Sequence, residues 1–185
     1  MVDNDKLVVG AWIDAIGTII SAIAEVRTLA GLDGSNNKLV AIGEGLQAFG
    51  TMLIGTVLEE DPLNFVGNWI DGAGAAASSL GAYFQYTDID NGVDSIRLAV
   101  IGDLFQSLGA AISAKADYLS KDIDNIFAIG NGLQSLGAGL EAIGGVYELK
   151  ERADEGQPLT TIGAILQAAG SNLNALALTN DVREK

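Results

Sequence analysis

The 185-residue sequence contains no cysteine, no histidine and only two prolines. Without cysteine there is no disulfide framework and no thiol chemistry. Without histidine the commonest general base and transition-metal ligand is missing. Positive charge is scarce as well: ten Lys and Arg face 24 Asp and Glu, for a net charge of −14. The basic residues are scattered and form no patch, which argues against a nucleic-acid partner, because phosphate neutralisation needs clustered cations. No GxGxxG, GxxxxGK or HExxH occurs, so neither phosphate-cradling loops nor zincin chemistry is indicated. No cofactor and no enzymatic activity is expected.

What the chain has instead is glycine, 24 residues of it, within a composition that is 49% hydrophobic. One pattern returns six times: VGAWIDAIGT, IGEGLQAFGT, VGNWIDGAGA, IGDLFQSLGA, IGNGLQSLGA and IGAILQAAGS. Each copy holds two glycines seven residues apart: Gly10 and Gly17, Gly43 and Gly50, Gly67 and Gly74, Gly102 and Gly109, Gly130 and Gly137, Gly163 and Gly170. Four residues after the first glycine stands an amide or carboxylate: Asp14, Gln47, Asp71, Gln106, Gln134 and Gln167. Steps of seven fall on one stripe of a helix, and large apolar residues such as Ile126, Ile129, Leu133, Leu136 and Leu140 flank that stripe at helical spacing. Flexible glycine linkers would not keep this phase.

A helical glycine costs about 1 kcal/mol relative to alanine, so a dozen forfeit on the order of 10 kcal/mol. Close approach of neighbouring helices, with the dispersion contacts it brings, is the expected offset. The fold class is therefore all-α: six helices near 4–28, 36–58, 62–86, 93–118, 122–152 and 158–179, forming three antiparallel hairpins in a single domain over residues 1–185. Loops are expected at 31–37, 59–62, 87–92, 119–124 and 153–158, with Asp61 and Gln157 capping helices whose first residues are Pro62 and Pro158. The twelve heptad glycines are assigned to helix packing and the six polar residues between them to helix interfaces. Trp12 and Trp69 share one repeat position and read as anchors of a core or interface. The acidic DIDNGVD segment lacks the glycine and the bidentate Glu of a calcium loop, and reads as a turn ending in an Asp94 or Ser95 cap, so no metal is expected.

Charge is nearly absent from the helix middles. Of the 72 positions from one before to ten after each first glycine, only Asp14, Glu44, Asp71 and Asp103 are charged. An ordinary soluble helix shows a charged outer face, so these helices must be covered by one another, by further copies, or by lipid. A membrane is disfavoured at this level: six antiparallel spans would place five basic residues on each side, with no positive-inside bias, and every segment carries Asp, Glu, Asn or Gln near its middle. The N-terminus has acids where a secretory signal has bases, so a cytoplasmic location is expected.

The repeated unit resembles the glycine-rich repetitive proteins of spore-forming Gram-positive bacteria, a family without assigned activity; the resemblance runs through the six motifs and implies a bacterial, non-enzymatic protein. The function expected is that of a structural protein that self-associates into homo-oligomers through glycine grooves and apolar faces. The alternatives are a membrane-inserting or pore-forming protein, and a carrier of an apolar ligand between helices.

Overall fold

A computed structural model describes residues 3–183 except 33, 59, 89–91 and 121–124. Six helices follow in chain order: α1 (Asn4–Leu29), α2 (Asn36–Gly55), α3 (Pro62–Thr87), α4 (Val93–Leu119), α5 (Asn125–Glu148) and α6 (Ala153–Arg183). Among the described residues there is no strand. Each helix packs against its chain neighbours, α6 returns to pack against α1, and no helix packs across the middle. The six therefore close into a ring.

Two kinds of seam hold the ring. Within each hairpin the heptad glycines of the two helices face one another: Gly17 against Gly43, Gly74 against Gly102, Gly137 against Gly163. A Cβ added to the first glycine of each pair would lie 2.5 Å from the carbonyl oxygen of the second, a distance that real side chains do not reach. The pairs Gly10 with Gly50, Gly67 with Gly109, and Gly130 with Gly170 make the same approach one heptad away. Backbone thus meets backbone, and the dispersion gained along three seams offsets the poor helix propensity of glycine.

Between hairpins the contacts use small hydroxyls and alanines. Ser107 and Ser135 each donate to the other's backbone carbonyl at 2.9 Å, joining α4 to α5. Ser79 donates to the Ala41 carbonyl at 2.7 Å, joining α3 to α2. The closing α1–α6 seam pairs the Thr18 and Ser171 hydroxyls at 2.7 Å, packs Ala11 and Ala15 near Ala175, and ties Trp12 Nε1 to Thr179 Oγ1 at 3.0 Å. Trp69, in the equivalent repeat position, lies against Gly55 where α2 ends.

Several boundaries depart from expectation: α5 ends at Glu148, four residues before the expected 152, and α6 runs on to Arg183, past the expected 179. α6 begins at Ala153, so 153–158 is helix rather than loop, and Pro158 lies inside it instead of opening it. The reason is one further seam contact: Gly156 lies against Gly144, and Asp154 and Glu155 complement the positive end of the helix dipole. Gln157 is consequently no cap; its amide donates to Glu25 Oε2 of α1 at 2.7 Å. α4 starts at residue 93 as expected, but its cap is Gly92 with φ 86° rather than Asp94 or Ser95, and Ser95 donates back to the Gly92 carbonyl. α2 stops at Gly55, three residues short of the expected end. The Asp61 cap with Pro62 as first helical residue is present, Asp61 accepting from the Asn64 N–H at 3.2 Å. Residues 121–124, part of the expected start of α5, and Asp90 of the acidic turn lie outside the described residues.

Candidate functional site

The ring is polar inside and apolar outside. In the stretches 7–24, 39–58, 62–87, 98–114, 126–147 and 156–180 the only charged residues are Asp14, Glu44, Asp71, Asp103 and Glu141. All five are buried. The exposed positions there are filled by Ile16 and Ile23 on α1, Phe49 on α2, Leu80 on α3, Leu104 and Leu108 on α4, Leu136 and Ile143 on α5, and Ile162 and Leu176 on α6. This reverses the usual arrangement, in which long apolar side chains fill the interior and charge covers the surface.

The six polar residues of the repeat are all buried. The hairpin register explains why they share one level. Gly10–Gly17 runs antiparallel beside Gly43–Gly50, so Asp14 and Gln47 come opposite one another, as do Asp71 with Gln106 and Gln134 with Gln167. Each faces the axis of the ring, and the layer is bridged across it: Gln47 Nε2 donates to Gln106 Oε1 at 2.5 Å and to Gln167 Oε1 at 3.1 Å. Carboxyl groups set the polarity of this bridge. Gln106 Nε2 donates to Glu44 Oε2 at 3.0 Å and Gln167 Nε2 to Glu141 Oε1 at 2.7 Å, which turns both carbonyl oxygens towards Gln47. Gln47 Oε1 and Asp14 Oδ1 are left buried without a partner.

On one side of this layer the interior opens into a cavity of about 170 Å³ to which all six helices contribute. Its deep part holds Glu44, Asp103 and Glu141; nearer the mouth stand Glu25 and Glu148. Ser21 donates to Glu44 Oε1 at 3.0 Å and Ser78 to Asp103 Oδ1 at 2.6 Å. Among the described residues no Lys or Arg lines the cavity. On the other side an amide network ties α3 through α6 together. Asp117 accepts from Asn64 Nδ2 at 2.9 Å and Asn131 Nδ2 at 2.7 Å, while Asn174 Nδ2 donates to Asn131 Oδ1 at 2.8 Å. The cavity forms a polar vestibule.

Sequence reasoning singled out the midplane layer but not the vestibule acids Glu25, Glu141 and Glu148. The usable signal was Glu44 and Asp103, charges inside otherwise uncharged helix middles. Among the described residues no three acidic side chains converge closely enough to hold a metal ion.

The sequence profile of a family of unknown function, DUF6944, matches residues 5–175. No curated protein and no solved structure matches the chain.

Proposed function

The chain belongs to that family, whose members carry no assigned activity, and from the ring itself we propose that it is a non-enzymatic, membrane-embedded helical ring enclosing a polar vestibule. The observation that carries this reading is the charge-free outer face along the middle stretch of all six helices, around a polar interior. The shortest uncharged outer stretch, 98–114, spans about 25 Å at about 1.5 Å per residue, close to the roughly 30 Å of a bilayer's hydrocarbon core.

Two further features support it. All four tyrosines lie within five residues of a helix end, at Tyr83, Tyr86, Tyr118 and Tyr147, where a bilayer interface favours amphipathic rings. The sequence-level objection, that Asp near a span centre costs about 2.5 to 3.5 kcal/mol, concerns side chains meeting lipid; Asp14, Asp71 and Asp103 face inward. By length and composition two helices, Asn4–Leu29 and Val93–Leu119, are apolar enough to cross a membrane alone. The other four dilute their apolar outer faces with glycine and inward polar groups, which ring closure satisfies.

Self-association through the same faces is the competing reading. A contact between two copies covers one or two helices and leaves the rest bare, whereas lipid covers the whole circumference. The motif's likeness to the glycine-rich repetitive proteins of spore-forming bacteria fits either case. Flotation after mixing with phosphatidylcholine vesicles tests the proposal: the protein is expected to rise with the lipid and to resist alkaline carbonate extraction. Recovery at the bottom of the gradient as a soluble species would overturn it.

A further inference from the structure

We propose that the vestibule is a binding site for a short aliphatic diamine. The inference rests on the cavity alone and does not depend on what covers the outside of the ring.

Carboxyl chemistry defines the class of ligand: burial pushes the Glu44, Asp103 and Glu141 carboxyls well above the usual carboxylate range, and a cation brought beside them restores their ionised form. The vestibule presents five carboxyl groups and, among the described residues, no base. Arg27 and Lys38, next in sequence to lining residues of α1 and α2, are engaged elsewhere: Arg27 Nε donates to Asn36 Oδ1 at 3.0 Å and Lys38 Nζ lies 5.8 Å from the centre of the Tyr86 ring. Two deep acids reach the cavity with a free oxygen. Asp103 is 9% exposed and Glu141 8%. One oxygen of each is held by the protein, Asp103 Oδ1 by Ser78 and Glu141 Oε1 by Gln167, while the other accepts no hydrogen bond from any described residue. Both oxygens open onto the cavity, where a ligand carrying N–H groups would meet two free acceptors beside the amides and hydroxyls of Asn37, Gln85, Thr28 and Thr160.

Arrangement narrows the class. The acids stand too far apart to close around a bare metal ion, as hard cations require several oxygens at short range. They form two tiers instead. Glu141 and Glu148 are seven residues apart on α5, about 10 Å along the axis at about 1.5 Å per residue. Between the tiers the wall turns apolar, with Ala82 and Val100 lining it. Ammonium groups hydrogen-bonded to each tier at about 2.8 Å, set off the line joining the tiers, stand roughly 5 to 6 Å apart, a span of three or four methylenes lying along that apolar wall. Size agrees. At roughly 30 Å³ per water-sized group, the cavity of about 170 Å³ holds between five and six such groups, the size range of a three- or four-carbon diamine.

The test is calorimetric titration of the full chain in non-ionic detergent, at fixed ionic strength, with 1,4-diaminobutane and with butylamine. The diamine is expected to bind at least tenfold more tightly than the monoamine. Glu148→Gln, at the exposed mouth where folding is not at stake, should bring the diamine close to the monoamine's affinity and leave the monoamine unchanged. Asp103→Asn should weaken both. Equal affinity for the two amines, no binding of either, or an unaltered diamine affinity in Glu148→Gln would overturn the proposal. Since detergent replaces lipid throughout, such a failure leaves the membrane reading intact, and a failed flotation leaves this one intact.

Discussion

Gly137 and Gly163 are in backbone contact across the α5–α6 seam: a Cβ on either would lie 2.5 Å from the carbonyl oxygen of the other. Even one methyl group forces the helices apart. Gly137→Ala should therefore destabilise the ring by about 1 to 3 kcal/mol, the range of an overpacked core, and Gly137→Leu by more. Gly132, on the same helix, has nothing within 4 Å of its would-be Cβ. Gly132→Ala should gain up to about 1 kcal/mol from helix propensity. Denaturant unfolding of both variants in one detergent checks the contrast, and equal stabilities would remove the argument for the glycine seams.

The midplane bridge should fail asymmetrically. Gln47 supplies the donors for Gln106 and Gln167, so Gln47→Leu leaves two buried carbonyl oxygens unpaired at about 1 to 3 kcal/mol each. Gln134 donates only once, to Asn131 Oδ1 at a long 3.4 Å. Gln134→Leu should cost under half as much. Thermal melts of the two variants, followed by helical circular dichroism, give the comparison.

The hydrogen bond of Trp12 on Thr179 is one of the contacts that close the ring between α1 and α6. Trp12→Phe and Thr179→Val each remove that hydrogen bond, and each should cost about 1 kcal/mol or somewhat more. The double variant should cost less than the sum, because both changes break one interaction. Strict additivity in the double-mutant cycle would show that this bond does not join α1 to α6.

Leu136, 65% exposed on the outer face, offers a test of the environment. A leucine this exposed on a water-soluble surface tolerates Arg within about ±0.5 kcal/mol. In a bilayer, Leu136→Arg should cost about 2.5 to 3.5 kcal/mol. Vesicle partitioning of this variant beside Glu148→Gln, which alters charge at the mouth, separates a position effect from a simple change in net charge.

The glycine seams were legible in the sequence because only a residue without Cβ permits backbone contact, and the need recurs at every heptad. Six helices and their approximate bounds followed from the same repeat. The direction of the faces was not legible: beside each glycine stripe lie one polar and one apolar flank, and periodicity alone does not say which turns to the axis. Inward Asp14 and Gln47 read equally well as contacts between copies. Ring closure was hidden for a related reason, since Thr18, Ser171, Ala15 and Ala175 are small residues of kinds found in any helix, and nothing in their spacing marks α1 and α6 as partners. The vestibule acids Glu25 and Glu148 fall outside the repeated motif and become neighbours only when the ring closes. Pro158 misled because proline is most at home at the first helical position, and the Gly144–Gly156 contact that extends α6 beyond it joins a motif glycine's neighbour to one outside any copy.

The most direct test of an apolar belt around a polar interior is sedimentation of the purified chain with and without non-ionic detergent. With detergent, the account predicts a discrete ring of one 19.1 kDa chain carrying a detergent belt; without it, large and polydisperse aggregates. A stable, monodisperse monomer in detergent-free buffer would mean that water tolerates the outer faces of all six helices, and would contradict the membrane-embedded reading.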